Sequence, residues 1–181
     1  MKLVKCKIRA AGKENKRHQR TMPIGVQEQA LFGLPTVKED DKFLVITEGE
    51  YDAMAVHQET HFPCVSLPQG ASHLPKQLME FFDRFEKIYL WMDSDEVGKR
   101  SAEKFAEVLG PNRTIIIDTT FNSDQDIQDD KPKDANDVLR KGLSFKEIMT
   151  QKARWLDSSR VLSMGTLKEK VLNRFRNQKD I

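Results

Sequence analysis

Two short apolar runs, each followed at once by acidic residues, constrain the fold of this chain more than any other feature. The runs occupy residues 43–46 and 88–92, and the acidic clusters occupy residues 48–52 and 93–96. Short apolar runs are typical of strands that are buried on both faces of a parallel sheet. The carboxyl ends of such strands share one edge of the sheet, where α/β proteins bind their ligands. The pattern therefore predicts that the two acidic clusters lie close together.

The rest of the chain continues the alternation of strands and helices. We predict four strands, at residues 43–47, 64–67, 87–92 and 114–117. We predict helices at residues 51–60, 75–86, 97–109, 138–141 and 144–153. This order predicts an α/β fold with a mostly parallel four-stranded sheet that is sandwiched by helices. An N-terminal β extension with an irregular basic loop at 10–22 precedes the sheet, and a C-terminal linker helix at 166–178 follows it.

The net charge of +2 conceals a strong separation of charge along the chain. Residues 1–20 contain eight lysines and arginines and one acid, whereas residues 118–137 contain seven aspartates and two lysines. A basic segment beside an acidic site suits a polyanion that is held by its phosphates while metal ions act on it. The alternative is that the basic residues only form the solvated face of a half-buried strand.

Composition disfavours several other classes of protein. No apolar run approaches the roughly 20 residues that cross a bilayer, and no N-terminal segment is typical of a secretory signal. Cys6 and Cys64 lie far apart and are the only cysteines, which excludes a CxxC zinc site and disfavours a disulfide framework. We expect a soluble protein of a reducing compartment.

Carboxylates that converge on one point repel each other unless cations lie between them. Asp93 and Asp95 are two residues apart, so they share one face of an extended segment. Glu48 opposes them if the first and third strands are neighbours, and Asp134 would complete the set from its loop. The pattern predicts a Mg²⁺ or Mn²⁺ site and chemistry on phosphates, in which a carboxylate accepts the proton of an attacking hydroxyl.

Most of these acids also admit a purely structural interpretation. Asp52 and Glu50 fall in the first turn of a helix, where acids interact favourably with the helix dipole. Ser94 or Asp95 could cap the helix that follows them, and Asp137 could cap a helix or lie exposed. Glu48 is the hardest to explain in this way, because an acid that ends an apolar strand is costly unless it binds something.

The acidic motifs resemble the Toprim pattern shared by primases, type IA and type II topoisomerases and some nucleases. The two motifs that carry the resemblance are Glu48-Gly49-Glu50-Tyr51-Asp52 and Asp93-Ser94-Asp95-Glu96-Val97-Gly98-Lys99. Other segments are similar to phage-type primase-helicases and their mitochondrial relatives of the Twinkle type, namely residues 30–34, 70–72 and 133–137. The pairs Leu67-Pro68 and Leu74-Pro75 look most similar to animal Twinkle.

The resemblance implies a role for each acid. Glu48, Asp93 and Asp95 would be catalytic, with Glu48 as a metal ligand or general base. The Mg²⁺ or Mn²⁺ ligands would be Glu48, Asp93, Asp95 and Asp134. Support would come from Gly49, which keeps the turn open, and from Asp52 and Asp137. Contacts to nucleic acid or nucleotide phosphates would come from Lys13, Lys16, Arg17, Lys99 and Arg100.

The resemblance also implies an activity and an organisation. We expect residues 1–40 to be a basic segment of the primase domain, 41–142 to be the Toprim domain, and 143–181 to link to a helicase domain. The expected function is metal-dependent synthesis of RNA primers from ribonucleoside triphosphates on single-stranded DNA. Because vertebrate Twinkle lacks these acids and this chain retains them, the resemblance favours retained primase chemistry.

The complete protein would also be a 5′–3′ DNA helicase that forms a hexamer or heptamer. This chain has neither a Walker A motif nor a zinc ribbon, so we interpret it as a fragment. The resemblance implies a mitochondrial location in a eukaryote, or the cytoplasm for a phage or bacterial protein, without membrane association. Two alternatives remain: a catalytically silent module that binds single-stranded DNA or acts as a scaffold, and a Toprim nuclease.

Overall fold

A five-stranded, mostly parallel sheet is the centre of the computed structural model, which describes residues 6–9, 19–22, 30–120 and 131–156. The strands are β1 (Cys6–Arg9), β2 (Gln19–Met22), β3 (Phe43–Thr47), β4 (Cys64–Ser66), β5 (Lys87–Trp91), β6 (Thr114–Ile117) and β7 (Ala153–Trp155). The order in the sheet is β4-β3-β5-β6-β7, and β7 alone runs antiparallel to its neighbour. β1 and β2 form a separate antiparallel hairpin.

Helices cover both faces of the sheet, because successive strand residues point to opposite faces and both sets are apolar. The helices are α1 (Glu50–Thr60), α2 (Met79–Asp83), α3 (Glu96–Leu109), α4 (Ala135–Arg140) and α5 (Phe145–Gln151). Leu44, Ile46 and Leu90 pack in a core with side chains of α2 and α3. Val45 and Trp91 pack in a second core with side chains of α1, α4 and α5.

The predicted α/β fold with a parallel sheet of four strands is confirmed, and one antiparallel strand is added to it. The sequence predicts a helix at 144–153, which runs into the first residue of β7. In the structure α5 ends at Gln151, and Ile116 of β6 then pairs with Arg154. A three-residue strand of mixed polarity carries too little local pattern to be found without its partner.

Two other sequence expectations were wrong in detail. The irregular loop at 10–22 contains β2, whose Met22 pairs with Cys6. The single helix at 75–86 is a 3₁₀ turn at Lys76–Leu78 followed by the short helix α2. The backbone leaves α2 early because the N–H groups of Glu86 and Lys87 both donate to the carbonyl of Lys42, at 2.8 and 3.2 Å. The expected helix at 166–178 lies outside the described residues.

None of the helices in the described part of the chain has the length and apolar character that crossing a membrane requires.

Candidate functional site

The two acidic clusters meet at the carboxyl edge of the sheet, because β3 and β5 are parallel neighbours. Thr47, the last residue of β3, pairs with Trp91, the last residue of β5. Glu48 and Asp93 therefore leave adjacent strands at nearly the same level. The sequence predicts that Glu48 opposes Asp93 and Asp95 if these two strands are neighbours, and their adjacency is confirmed. α1 packs on one face of the sheet and α3 on the other, so this edge is also where the connections diverge.

Glu48 carries a buried carboxylate oxygen that lacks a partner. Its Oε2 is inaccessible to solvent and has no hydrogen-bond partner in the described part of the chain. The side chain lies against Gly70, where an added Cβ would come 3.3 Å from Cγ of Glu48 and 3.4 Å from Oε1. A buried carboxylate oxygen without a hydrogen bond is costly unless a cation or another donor meets it. The structure therefore offers no internal role for this oxygen.

Asp52 connects the first acidic cluster to the loop that carries Asp134. Asp52 is only 7% exposed, and its Oδ1 accepts a hydrogen bond of 3.0 Å from the backbone N–H of Asn136. Burial raises the pKa of Asp52 to about 7, with further increases from the charges of Asp134 and Asp93 and from a side-chain hydrogen bond with Asp134. Three acids from three separate segments are thus close enough to repel one another.

Asp95 and Asp134 also act as helix caps. Oδ1 of Asp95 accepts from the backbone N–H of Gly98 at 2.7 Å and caps α3. Oδ1 of Asp134 accepts from the N–H of Asp137 at 2.7 Å and caps α4. Each cap uses one carboxylate oxygen and satisfies an otherwise unpaired helix donor. The capping interpretation is therefore confirmed for Asp95, which retains a second oxygen for a ligand, whereas the cap formed by Asp134 was not predicted from the sequence.

The side chain of Asp137 has two structural partners of its own. Its Oδ2 accepts from the backbone N–H of Lys133 at 3.3 Å, and its Oδ1 lies 3.7 Å from Nη1 of Arg140. These contacts hold the loop before α4 to the first turn of the helix. The supporting role that the resemblance implies for Asp137 at the acidic site stays a prediction.

Two glycines allow close approach at the acidic edge. A Cβ on Gly98 would lie 2.2 Å from the backbone oxygen of Asp93, so only glycine lets the first turn of α3 pack against that residue. A Cβ on Gly49 would lie 2.7 Å from Oδ2 of Asp52. Gly49 was predicted to keep the turn open, and its position against Asp52 gives a specific reason.

The basic residues named from the sequence fall into two groups. Lys99 lies in the first turn of α3 and lines a small cleft together with Asp93 and Asp118. Arg100 is exposed, and its guanidinium lies 3.8 Å from the carboxylate of Glu96 one turn earlier. The other three, Lys13, Lys16 and Arg17, lie outside the described residues.

Asp118 is a cleft residue that the site prediction did not include. Its Oδ1 accepts from the backbone N–H of Thr120 at 2.9 Å and from the hydroxyl at 2.6 Å, and its Oδ2 lies 3.6 Å from Nε of Arg154. Asp118 directly follows the apolar strand β6, as Asp93 follows the run at 88–92. The same signal that selected Asp93 could therefore have found it.

The acids suit a hydrated divalent cation better than a metal held by the protein alone. Within the described ranges, no three His, Cys, Asp or Glu side chains form a ready-made ligand group. Mg²⁺ commonly takes only one or two carboxylates and fills its other positions with water and substrate phosphates. The unpartnered oxygen of Glu48 and the mutual repulsion at Asp52 fit such an ion. The ligand set Glu48, Asp93, Asp95 and Asp134 remains a prediction.

The fold and this edge define a class: a parallel α/β domain with carboxylates from two adjacent strand ends. The Toprim-like family matches residues 45–139, which is just over half of the chain and includes both acidic clusters. The chain therefore belongs to the Toprim-like family.

Two of the three known proteins described next have primase in their names. A DNA helicase/primase of Enterobacteria phage T3 is 44% identical over 80 residues, which are 41% of this chain and 14% of the phage protein. A primase homolog protein of Arabidopsis thaliana is 29% identical over 154 residues, which are 76% of this chain and 42% of that protein. The chloroplastic/mitochondrial Twinkle homolog protein of the same plant is 27% identical over 154 residues, or 20% of its length. The chain spans less than half of each relative.

Two solved structures share the fold, and their sequence identities to this chain are similar to each other. The primase fragment of the bacteriophage T7 primase-helicase protein has a TM-score of 0.64 and 30% identity, over 83% of this chain and 57% of that one. The second is a chain of a bacteriophage T7 assembly in which the lagging-strand DNA polymerase interacts with primase domains bound to an RNA/DNA hybrid and dTTP. It has a TM-score of 0.61 and 32% identity, over 83% of this chain and 70% of that one.

Proposed function

We propose that this chain is the Toprim catalytic part of a DNA primase-helicase, and that it joins ribonucleotides into primers on single-stranded DNA with Mg²⁺ or Mn²⁺. The observation that carries the proposal is the buried, unpartnered Oε2 of Glu48 at the edge where Asp93 also emerges. Support comes from the relatives, which include a DNA helicase/primase and a primase fragment.

Each acid of the edge has a role in this proposal. Asp93 and Asp95, with Asp134 beside them, would hold the divalent ions, which when bound neutralise phosphate charge and lower the pKa of the attacking hydroxyl. Glu48 would be either a further ligand or the base that takes the proton from the 3′-hydroxyl of the primer. Asp52 orients the Asp134 loop through the N–H of Asn136. Lys99 would contact phosphates from the first turn of α3.

The wider organisation is part of the same proposal. The complete protein would carry a helicase domain, form a hexamer or heptamer, and bind single-stranded DNA and ribonucleoside triphosphates. A chloroplastic/mitochondrial Twinkle homolog among the relatives supports action in an organelle if the source is a eukaryote. A phage relative supports the cytoplasm of an infected cell otherwise.

One observation favours a second candidate function. Asp95 and Asp134 already serve as helix caps, and the described acids form no ready-made group of three ligands. A module that binds single-stranded DNA or neighbouring subunits without turnover would need these acids only for structure. The two candidates differ in whether Glu48 is required for any measurable reaction.

Primer synthesis by the chain and by Glu48→Gln separates them. The assay follows incorporation of labelled ribonucleotides on single-stranded DNA with Mn²⁺, and Glu59→Gln on the exposed side of α1 is the matched control. We expect the Glu48 variant to lose at least about 100-fold in rate, in the range of a lost general base, while the control keeps the parent rate. Equal rates in parent and Glu48→Gln would contradict the proposal. Binding of DNA without any product would favour the scaffold.

A further inference from the structure

Lys133 is fixed in the structure by both of its backbone polar groups. Its carbonyl accepts a hydrogen bond of 2.7 Å from the N–H of Ser94, the residue between the two aspartates of the second acidic cluster. Its own N–H donates to Oδ2 of Asp137 at 3.3 Å. The backbone of Lys133, which is 39 positions after Ser94, thus joins the loop after β5 to the first turn of α4.

The residues on either side of Lys133 are also held. The carbonyl of Pro132 accepts from the buried hydroxyl of Thr119 at 2.7 Å. Asp134 caps α4 and forms a side-chain hydrogen bond with Asp52. Three consecutive residues are therefore anchored to three different elements, so the point from which the Lys133 side chain leaves the backbone is well defined.

The side chain of Lys133, in contrast, is exposed. Its ammonium forms no ion pair with a carboxylate in the described part of the chain, although Asp134 and Asp137 are close in sequence. An ion pair between an exposed lysine and a neighbouring acid stabilises a protein only modestly. An ammonium that has no carboxylate partner among the described residues and lies beside a carboxylate edge is available to an external anion.

Lys133 and Lys99 flank the second acidic cluster from opposite sides of the sheet. Lys99 belongs to α3, which packs in the core on one face, and Lys133 precedes α4, which packs in the core on the other. The N–H of Lys99 donates to the carbonyl of Asp95 at 3.0 Å, and Lys133 is bonded to Ser94. The loop of Asp93 and Asp95 thus lies between two lysines.

We infer that Lys133 is a substrate-binding residue that contacts the triphosphate of the incoming nucleotide. The inference rests on the proposed function, since it concerns the same edge. The acids repel an unaccompanied triphosphate, so the nucleotide approaches as its complex with divalent metal. A lysine held next to the acids that would bind the metal then donates a charge-assisted hydrogen bond to the phosphate oxygens that the metal leaves free. Nothing in this role requires the lysine to titrate.

Calorimetric titration of ATP into the chain with Mn²⁺ tests the inference on Lys133→Met, Lys133→Arg and the matched control Lys104→Met. Lys104 is exposed on α3 and two turns from its start. We expect Lys133→Met to weaken ATP binding about tenfold, as for one charge-assisted hydrogen bond. Lys133→Arg keeps the positive charge and a hydrogen-bond donor, so it should stay within about threefold of the parent. Lys104→Met should bind as the parent does. Melting temperatures should be unchanged, because the altered side chains are exposed.

A second measurement does not depend on a variant. Acetylation of lysines in the parent, mapped by mass spectrometry, should slow at Lys133 and not at Lys104 when ATP and Mn²⁺ are present. If Lys133→Met binds ATP as tightly as the parent, or ATP gives Lys133 no protection, the inference is overturned and the proposed function stands. If the parent itself binds no ATP with Mn²⁺, the proposed function is overturned and this inference with it.

Discussion

Replacing Asp52 by asparagine should stabilise the metal-free protein and change how its stability depends on pH. The carboxyl of Asp52 is buried, and burial followed by the charges of Asp134 and Asp93 raises its pKa to about 7. The asparagine side chain would keep an oxygen to accept from the N–H of Asn136. Its amide could also donate to Asp134 as the protonated carboxyl does, so the variant imitates the protonated form.

The magnitude follows from proton linkage. Below the ordinary pKa of 3.8 the carboxyl is protonated in both states and contributes no difference. Between pH 3.8 and about pH 7 the unfolded chain releases the proton and the folded chain keeps it, so the stability of the folded chain falls as the pH rises. Above about pH 7 the carboxyl is ionised in both states, and the destabilisation reaches its full value. The shift corresponds to about 4 kcal/mol at 1.36 kcal/mol per pH unit, and Asp52→Asn should recover most of it at pH 8 and almost none at pH 4.

Urea denaturation at a series of pH values from 4 to 8.5, with a chelator present, measures this difference. Glu59→Gln is the matched control, because it removes one carboxylate from an exposed position of α1, the same helix. Titrating groups that do not interact with Asp52 act equally in parent and variant and cancel in the comparison, whereas Asp93 and Asp134 lose a repelling charge in the variant. The reasoning is refuted if Asp52→Asn is no more stable than the parent at pH 8, or if its advantage does not shrink towards pH 4.

Three further outcomes follow from the packing. Gly98→Ala should lower the free energy of unfolding by about 3 kcal/mol, because its Cβ would lie 2.2 Å from the Asp93 carbonyl oxygen; an unchanged urea midpoint would contradict this. Arg113→Lys should cost about 2–3 kcal/mol, since the guanidinium pairs with Asp83 at 2.8 Å and donates to several carbonyls; a loss under about 0.5 kcal/mol in the same assay would show that lysine suffices. Burial raises the pKa of the Cys64 thiol, so peptide mapping should find it unalkylated at pH 8 until urea unfolds the chain, and rapid alkylation of the folded protein would refute its burial.

The parallel part of the sheet was predictable because its strands carry their own signal. Leu44, Val45 and Ile46 are wholly buried, and so are Ile88 and Leu90. Strands buried on both faces must be apolar along their length, which makes a short apolar run sufficient evidence. The strand β7 and the hairpin strand β2 contain no such apolar run, so each is recognised only through the strand with which it pairs, β6 for β7 and β1 for β2.

Part of the candidate site was also predictable, because some of its acids follow directly on these apolar strands. Acids at the ends of neighbouring parallel strands must meet, so Glu48 and Asp93 could be placed together from strand order alone. The burial of Asp52 could not be predicted from the sequence, because it depends on the backbone of Asn136, which is 84 positions away. The anchoring of Lys133 depends likewise on Ser94 and Thr119. Contacts of this kind are created by the fold and have no local pattern.

Binding of Mn²⁺ to the acidic edge is the most direct test of the account. Electron paramagnetic resonance measures free Mn²⁺ during titration of the parent chain and of the Asp93→Ala, Asp95→Ala double variant. We expect saturable binding by the parent in the absence of ATP, which would itself chelate Mn²⁺. We expect at least a roughly tenfold weaker affinity in the double variant, with circular dichroism that shows both proteins folded. Equal Mn²⁺ binding by the two folded proteins would contradict the claim that these carboxylates form the metal site.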